Sequence, residues 1–367
     1  MERDLERISI LLPDLRGGGA ERVCLDLARQ FALLGHLTEF LLMRAEGDFL
    51  AEVAGEYPIV DLQAPRARHA LPALVLHLRR NPPDALLVAM WPLTVIAPLA
   101  ARIAGFRGRV VISEHGILSA QYAKWGLPHR LALRASMAVG YRMADARVGV
   151  SNGVAQDMAA LAAMDAGHMT PIYNPMRSLP APSPEALALA NSWWGGGEER
   201  ILTVGALKPV KNHSLLLRAF AATARPAARL MLLGCGDGEA DLRSLAAELR
   251  IADRVIFAGF YSDPTPFYHT ANLFVLSSDY EGFGNVIVEA LSCGLPVVST
   301  DCPSGPAEIL QNGQFGRLVP TGDAEALARA MDEALSSPVN RHELMARAAN
   351  FAPGIAANRY LELLRMP

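Results

Sequence analysis

Three stretches of this sequence combine residue types that bind and stabilise negative charge. The first is Arg16-Gly17-Gly18-Gly19-Ala20-Glu21-Arg22, directly after a predicted strand and at the opening of a predicted helix. Successive glycines let a backbone approach a ligand closely, and the free N–H groups and positive dipole end of a helix suit an anion such as a diphosphate. A tight turn that holds no ligand would use the same residues. In the register G-x-G-x-x-G, Gly17 and Gly19 fit but Arg22 stands in place of the third glycine, so this is not the dinucleotide fingerprint. The second stretch is Val204-Gly205-Ala206-Leu207-Lys208-Pro209-Val210-Lys211-Asn212-His213. Lys211 is predicted at the start of a helix, where the dipole disfavours a cation unless an anion occupies the site. A solvated surface lysine is the alternative. The third is Ser277-Ser278-Asp279-Tyr280-Glu281-Gly282-Phe283-Gly284-Asn285-Val286-Ile287-Val288-Glu289-Ala290-Leu291. Glu281 falls in a strand-to-helix loop beside Gly282 and Gly284, and Glu289 falls on the following, otherwise apolar helix. A carboxylate in that setting is either paired or functional.

The elements that position these stretches alternate strand and helix. Predicted pairs are Ile8–Leu12 with Ala20–Leu34, Ile59–Leu62 with Leu71–Arg80, Ala85–Ala89 with Leu93–Ala104, and Val110–Ser113 with His129–Tyr141, with further strands at Glu39–Met43 and Ala146–Val150. A second series runs Ile201–Val204, Arg229–Leu233, Val255–Phe257, Leu273–Leu276 and Val297–Ser299 with helices between them. Such alternation predicts an α/β fold of βαβ units on parallel sheets. The breakers between Pro175 and Glu199 predict a linker. The expected organisation is therefore a first domain over 1–175, a linker over 176–199, a second domain over 200–350, and a terminal helix within 351–367 that crosses back to the first domain.

At 367 residues and 51% apolar content, the chain can bury two sizeable cores. A net charge of −3 gives no basic field for nucleic acid, which is excluded as a partner. Between Asp61 and Val150, however, twelve Lys or Arg face four acids, and that predicts a cationic face on the first half. The four cysteines form no C-x-x-C, so neither a metal site nor a disulfide framework is expected. A reducing cytoplasm is the simplest compartment. The mixed-charge start Met1–Arg7 does not read as a signal peptide, which leaves peripheral contact with the inner face of the plasma membrane as the expected form of membrane association.

Glu281 and Glu289 form an E-x7-E pattern in the setting E-G-F-G-x-x-x-x-E-A-L-x-x-G-x-P-V, which resembles the retaining GT-B glycosyltransferases of family 4. The resemblance covers nearly the whole chain: the glycine loop, the V-G-x-L-x-x-x-K-N segment, Gly234–Glu239 and Pro303–Glu308 occur in family order. It implies two Rossmann-like domains facing across a deep cleft, the first binding the acceptor and the second a nucleotide-diphosphate sugar. It places Glu281 beside the reacting sugar carbon, Glu289 on the ribose hydroxyls, and Gly282, Phe283, Gly284, Asn285 and Val286 around the diphosphate. Lys211 would neutralise the developing phosphate charge, and Gly17, Gly18 and Gly19 would close over the phosphates. His115, in Ser113-Glu114-His115-Gly116, matches a family histidine near the transferred sugar, although a structural loop histidine would look the same. One departure stands out: Ala206 occupies a position where many members carry an arginine, and Lys208 is the expected substitute phosphate contact.

The implied activity is transfer of a hexose or N-acetylhexosamine, from a UDP-sugar by preference, to a glycan or polyprenyl- or lipid-linked acceptor of the cell envelope. No D-x-D occurs, so no metal and no other cofactor is expected, and Lys211 with the helix dipole must carry the charge. Retention through a covalent sugar on Glu281 and retention through front-face attack both remain open. The segment Tyr122–Arg134 mixes aromatic, apolar and basic residues, which suits either an anionic membrane surface or a solvated basic face. A nucleotide-sugar epimerase and a weakly active or non-catalytic partner subunit of the same fold are the competing readings.

Overall fold

A computed structural model describes residues 6–176, 179–197 and 199–365. The chain divides into two compact units, Met1–Arg177 with Ala352–Pro367, and Ser178–Phe351. In the first unit the strands are β1 (Arg7–Leu12), β2 (Leu37–Leu42), β3 (Ile59–Asp61), β4 (Ala85–Ala89), β5 (Arg109–Glu114), β6 (Ala146–Gly149) and β7 (Thr170–Pro171). They form one parallel sheet in the order β3-β2-β1-β4-β5-β6-β7. In the second unit β8 (Arg200–Val204), β9 (Arg229–Leu233), β10 (Val255–Gly259), β11 (Leu273–Leu276), β12 (Val297–Thr300) and β13 (Arg317–Val319) pair in the order β10-β9-β8-β11-β12-β13, again all parallel.

Helices on both faces bury these strands, which explains why they read as apolar runs rather than alternating ones. Ile8, Ile10, Leu11 and Leu12 of β1 and all four residues of β11 are buried. In both sheets the strand order reverses beside the first strand, between β1 and β4 and between β8 and β11. Open parallel sheets place ligands outside the carboxyl ends of the strands at such a reversal, and the glycine loop, the Lys211 loop and the Glu281 loop follow β1, β8 and β11.

The stretch expected to be a linker contains a helix. Ser183 caps Pro184–Trp193 by accepting a hydrogen bond from the Ala186 amide (3.2 Å), and Pro184 occupies the first turn, where its missing N–H costs nothing. Trp194 behind it is fully buried, with its indole N–H on Thr270 Oγ1 at 3.1 Å. The prolines and serine read as breakers are thus in part a helix start, and this segment packs in the second unit. Arg177, Ser178 and Glu198 of the expected linker, and Met1–Leu5 of the N-terminus, lie outside the described residues.

The terminal helix Pro353–Leu364 belongs to the first unit. Its Ala356, Ala357, Tyr360, Leu361 and Leu364 are buried in the core formed with Ile10, Cys24, Phe31 and Val111. The arginines of the expected cationic face keep their charge while fixed in place: Arg79, Arg134, Arg142 and Arg147 donate to the neutral backbone carbonyls of Ile103, Ala160, Ala162 and Tyr141, among others. Arginines at helix carboxyl ends satisfy stranded carbonyls and oppose the dipole.

Candidate functional site

In the second unit, two loops that follow neighbouring strands are fastened to each other. After β8 the chain makes a short turn at Pro209–Lys211, and Asn212, at φ 44°, caps the helix His213–Ala222 by accepting from the Leu215 amide at 3.1 Å. The Asn212 side-chain amide donates to Asp279 (2.8 Å), the Asp279 amide donates to the Val210 carbonyl (2.9 Å), and Ser277 Oγ donates to the Lys211 carbonyl (2.8 Å). These links fix Lys211 against the loop after β11. Its Nζ lies 2.6 Å from Glu281 Oε1, and the same oxygen accepts from Ser278 Oγ at 2.6 Å. With side chains 23% and 11% exposed, Lys211 and Glu281 form a pair screened less than a surface ion pair. Lys211 stands one residue before the helix cap, not inside the helix, and Glu281 supplies the counter-charge that the sequence left to a ligand.

The loop Glu281–Gly284 is set by close backbone packing. The Glu281 amide donates to the Pro303 carbonyl (3.3 Å), and Ser304 Oγ donates to the Gly282 carbonyl (2.9 Å). Gly305, at φ 87°, comes so near that a Cβ there would lie 1.8 Å from the Phe283 carbonyl oxygen, so only glycine fits. Gly284, at φ 99°, then starts the helix Asn285–Ser292. Phe283 is 2% exposed, and its ring packs edge-on to Phe351, with centroids 5.4 Å apart. Only its backbone remains for a phosphate. Glu289, one and a half turns along, accepts from Tyr268 Oη at 2.7 Å. Burial, then the neighbouring Glu289 carboxylate, raises the Tyr268 pKa well above the ordinary phenol value and keeps it a donor. Lys208 is exposed, along a hollow of about 270 Å³ that Pro209, His213 and Asp241 also line. Ala206 is exposed beside it.

In the first unit, Gly17 takes φ 88° and Gly18 is the N-terminal cap of the helix Gly19–Leu33. A Cβ on Gly18 would lie 2.5 Å from a Glu21 carboxylate oxygen, so Glu21 folds back over the helix start. A carboxylate there already complements the dipole, and an incoming phosphate would have to displace it. His115 follows the end of β5. Its Nε2 is 3.2 Å from Ser113 Oγ, while its Nδ1 is buried without a partner among the described residues. Desolvation lowers its pKa to about 4, so the ring is neutral at physiological pH. Glu114 beside it turns the other way and is 1% exposed, accepting from Thr94 (2.5 Å), Tyr141 (2.7 Å) and the Trp91 amide (3.2 Å). Desolvation raises its pKa to about 7, against the pull of those hydrogen bonds. Trp91 Nε1, after the neighbouring β4, is also buried without a partner among the described residues.

The structure thus brings together Lys211, Glu281, Gly282–Val286 and Glu289 on the second unit, and places Gly17–Gly19 and His115 at strand carboxyl ends of the first. Sequence reasoning missed Ser278, Tyr268, Ser113 and Tyr360. Only Ser278, three residues before Glu281, had a signal in its spacing. Among the described residues no group of three or more His, Cys, Asp or Glu is arranged to hold a metal ion.

Comparison with known proteins gives a consistent result. The family model for Glycosyltransferase Family 4 matches residues 17–177, and that for Glycosyl transferases group 1 matches residues 190–351. The N-acetylgalactosamine-N,N'-diacetylbacillosaminyl-diphospho-undecaprenol 4-alpha-N-acetylgalactosaminyltransferase of Campylobacter jejuni is 29% identical over 64% of this chain and 62% of its own length. The lipopolysaccharide core biosynthesis glycosyltransferase LpsE of Rhizobium meliloti is 35% identical over 45% of this chain and 49% of its own. The matched region therefore spans less than two thirds of either relative. The Anabaena protein Alr3699/HepE, solved in complex with UDP, shares the fold with a TM-score of 0.82 at 23% identity, over 98% of this chain and 99% of that one.

Proposed function

Because the chain belongs to the group 1 and family 4 glycosyltransferases of GT-B fold, we propose that it moves a hexose or N-acetylhexosamine from a nucleotide-diphosphate sugar, UDP-linked by preference, to a glycan or lipid-linked acceptor, with retention and without a metal ion. The observation that carries this reading is the Lys211–Glu281 pair at 2.6 Å, next to the helix start at Gly284 and to the helix Asn285–Ser292 that carries Glu289. A diphosphate offers Lys211 a stronger anionic partner than one carboxylate. On binding, Lys211 passes from Glu281 to the phosphate and Glu281 is freed toward the sugar, still held by Ser278. The backbone of Gly284, Asn285 and Val286 meets the phosphate at the positive helix end, and Glu289, steadied by Tyr268, takes the ribose hydroxyls. Gly17–Gly19 and Lys208 are proposed phosphate contacts and His115 a sugar contact. Fixed positive charge stabilises the departing nucleotide diphosphate, which takes the acceptor's proton in a front-face transfer.

A lipid-linked acceptor is supported by the relative from Campylobacter jejuni, whose name carries a diphospho-undecaprenol, and by the exposed surface of Leu127–Met143. Leu127 is 68% and Leu131 56% exposed, with Arg130 exposed between them, beside Trp125 at 38%. Among the described residues no helix is long and apolar enough to cross a membrane. We propose peripheral docking of this surface on anionic lipid, and neutralising Arg130 and Arg134 must then release the protein from phosphatidylglycerol vesicles.

The transfer reading is tested with UDP-glucose, UDP-galactose and UDP-N-acetylglucosamine, a polyprenyl-diphosphate glycan acceptor and EDTA, following the anomeric proton of the product by NMR. An axial, retained linkage formed in EDTA is expected. An inverted linkage, or activity that appears only with added magnesium or manganese, contradicts it. The absence of arginine at Ala206 favours a second reading, a weakly active or non-catalytic partner subunit of the same fold; failure to bind any nucleotide diphosphate would select it.

A further inference from the structure

A chain of three hydrogen-bonding groups ends on His115. Tyr360, on the terminal helix and 247 residues from Ser113 in sequence, sets its hydroxyl 2.8 Å from Ser113 Oγ, and Ser113 Oγ is 3.2 Å from His115 Nε2. Tyr360 and Ser113 are each 1% exposed, and their hydroxyls meet no other partner among the described residues. His115 Nδ1 is buried and unpartnered. Glu114 does not compete, because its carboxylate is taken by Thr94, Tyr141 and the Trp91 amide.

Buried polar atoms rarely go unpaired, so the protons can be placed by counting. If Nε2–H donated to Ser113 and Ser113 donated to Tyr360, two atoms would be stranded: the phenol hydrogen and the Nδ1 lone pair. In the opposite direction Tyr360 donates to Ser113, Ser113 donates to Nε2, and only Nδ1–H is left over. A phenol is also a better donor than an aliphatic hydroxyl. We propose that Tyr360 and Ser113 are positioning residues that hold His115 as its Nδ1–H tautomer, a neutral hydrogen-bond donor for a hydroxyl or other oxygen of a carbohydrate whose binding uncovers the buried Nδ1.

The imidazole then cannot act as a base at Nδ1, because its lone pair sits on Nε2 and is occupied by Ser113. The terminal helix, which crosses from the end of the chain into the first unit's core, becomes part of the site's wiring. Only the identity of the ligand rests on the glycosyltransferase reading; the tautomer does not.

Long-range ¹H–¹⁵N correlation of the ligand-free protein tests it, with His115 assigned by its disappearance in His115→Asn. The expected spectrum has a protonated Nδ1 and an unprotonated Nε2. Tyr360→Phe, and independently Ser113→Ala, should return the ring to the Nε2–H form that an untethered neutral imidazole favours. Both should lower kcat/KM for the sugar donor about tenfold, the loss of one net hydrogen bond, while leaving UDP binding unchanged, since UDP carries no sugar. Ser113→Ala removes a single oxygen and keeps the core if Tyr360→Phe fails to fold. A wild-type Nε2–H tautomer, or an unchanged tautomer in both variants, overturns the positioning role. A shifted tautomer with unchanged kcat/KM overturns the carbohydrate contact.

Discussion

The two units carry similar parallel sheets and reverse strand order at the same place, yet the buried groups at the ends of β4 and β5 differ in chemistry from those at the ends of β8 and β11. The second unit holds charged groups that are already compensated: Lys211 on Glu281, Ser278 on Glu281, and Tyr268 on Glu289. In the first unit, among the described residues, the buried ring nitrogens His115 Nδ1 and Trp91 Nε1 have no partner and the buried carboxyl Glu114 has its pKa pushed to about 7, while the charges after β1 and β2, Asp14, Arg16, Arg44 and Glu46, pair with one another. An isolated charge is too costly to keep dry, so a charged site must carry its own counter-charge until a ligand replaces it. A lone N–H costs far less and can wait unpaired. On the proposed function, the second unit exchanges an internal ion pair for an external one, whereas His115 of the first meets uncharged oxygen.

Breaking the charged half has the largest effect. Lys211→Ala removes the cation and strands the nearly buried Glu281, and kcat/KM for a UDP-sugar should fall by about 10²–10³, a loss typical of one preorganised charge-stabilising group. Next comes the buried carboxyl of the first unit. Its folded pKa of about 7 lies above the 4.5 of an ordinary glutamate, so the folded state binds the extra proton. The stabilisation is complete below pH 4.5 and is lost as pH rises to 7. His115 and His213, both lowered to about 4, act the opposite way between pH 4 and 6.5. The difference in unfolding free energy between wild type and Glu114→Gln isolates the carboxyl; it should decline by on the order of 3 kcal/mol across that window in urea titrations. A difference that is flat or rises with pH would show that Glu114 is ionised throughout.

Smaller effects sharpen the contrast. Tyr268→Phe removes one donor from Glu289, and the dissociation constant for UDP should rise about tenfold by calorimetry, with no change in the His115 spectrum. Ser183→Ala removes the cap from the helix that opens the second unit and should cost about 1 kcal/mol of stability with UDP affinity unchanged. A larger loss would mean that this helix does more than cover the core.

Much of the fold and part of the site are legible in the sequence, and what is not has a physical reason. Long parallel strands such as β1 and β4 announce themselves because both faces are buried. β7 and β13, with two and three residues, are too short to carry a pattern. The Glu281–Glu289 spacing and the glycines around it were legible because a loop and one helix hold them locally. The partners Tyr268 and Tyr360 were not, since they reach Glu289 and Ser113 from 21 and 247 residues away. The helix Pro184–Trp193 was hidden by its own start signal, which in composition is indistinguishable from a linker. Glu21 was legible as a residue but not as the occupant of the glycine-loop helix end.

The central claim is that the Lys211–Glu281 pair is a placeholder for a nucleotide diphosphate. Thermal unfolding with UDP, GDP and ADP in EDTA, on wild type, Lys211→Ala and Glu289→Ala, tests it most directly. Stabilisation of the wild type by one of these nucleotides, kept in EDTA and reduced in both variants, is the predicted result. Stabilisation that needs a divalent ion, or that Lys211→Ala leaves intact, would contradict it.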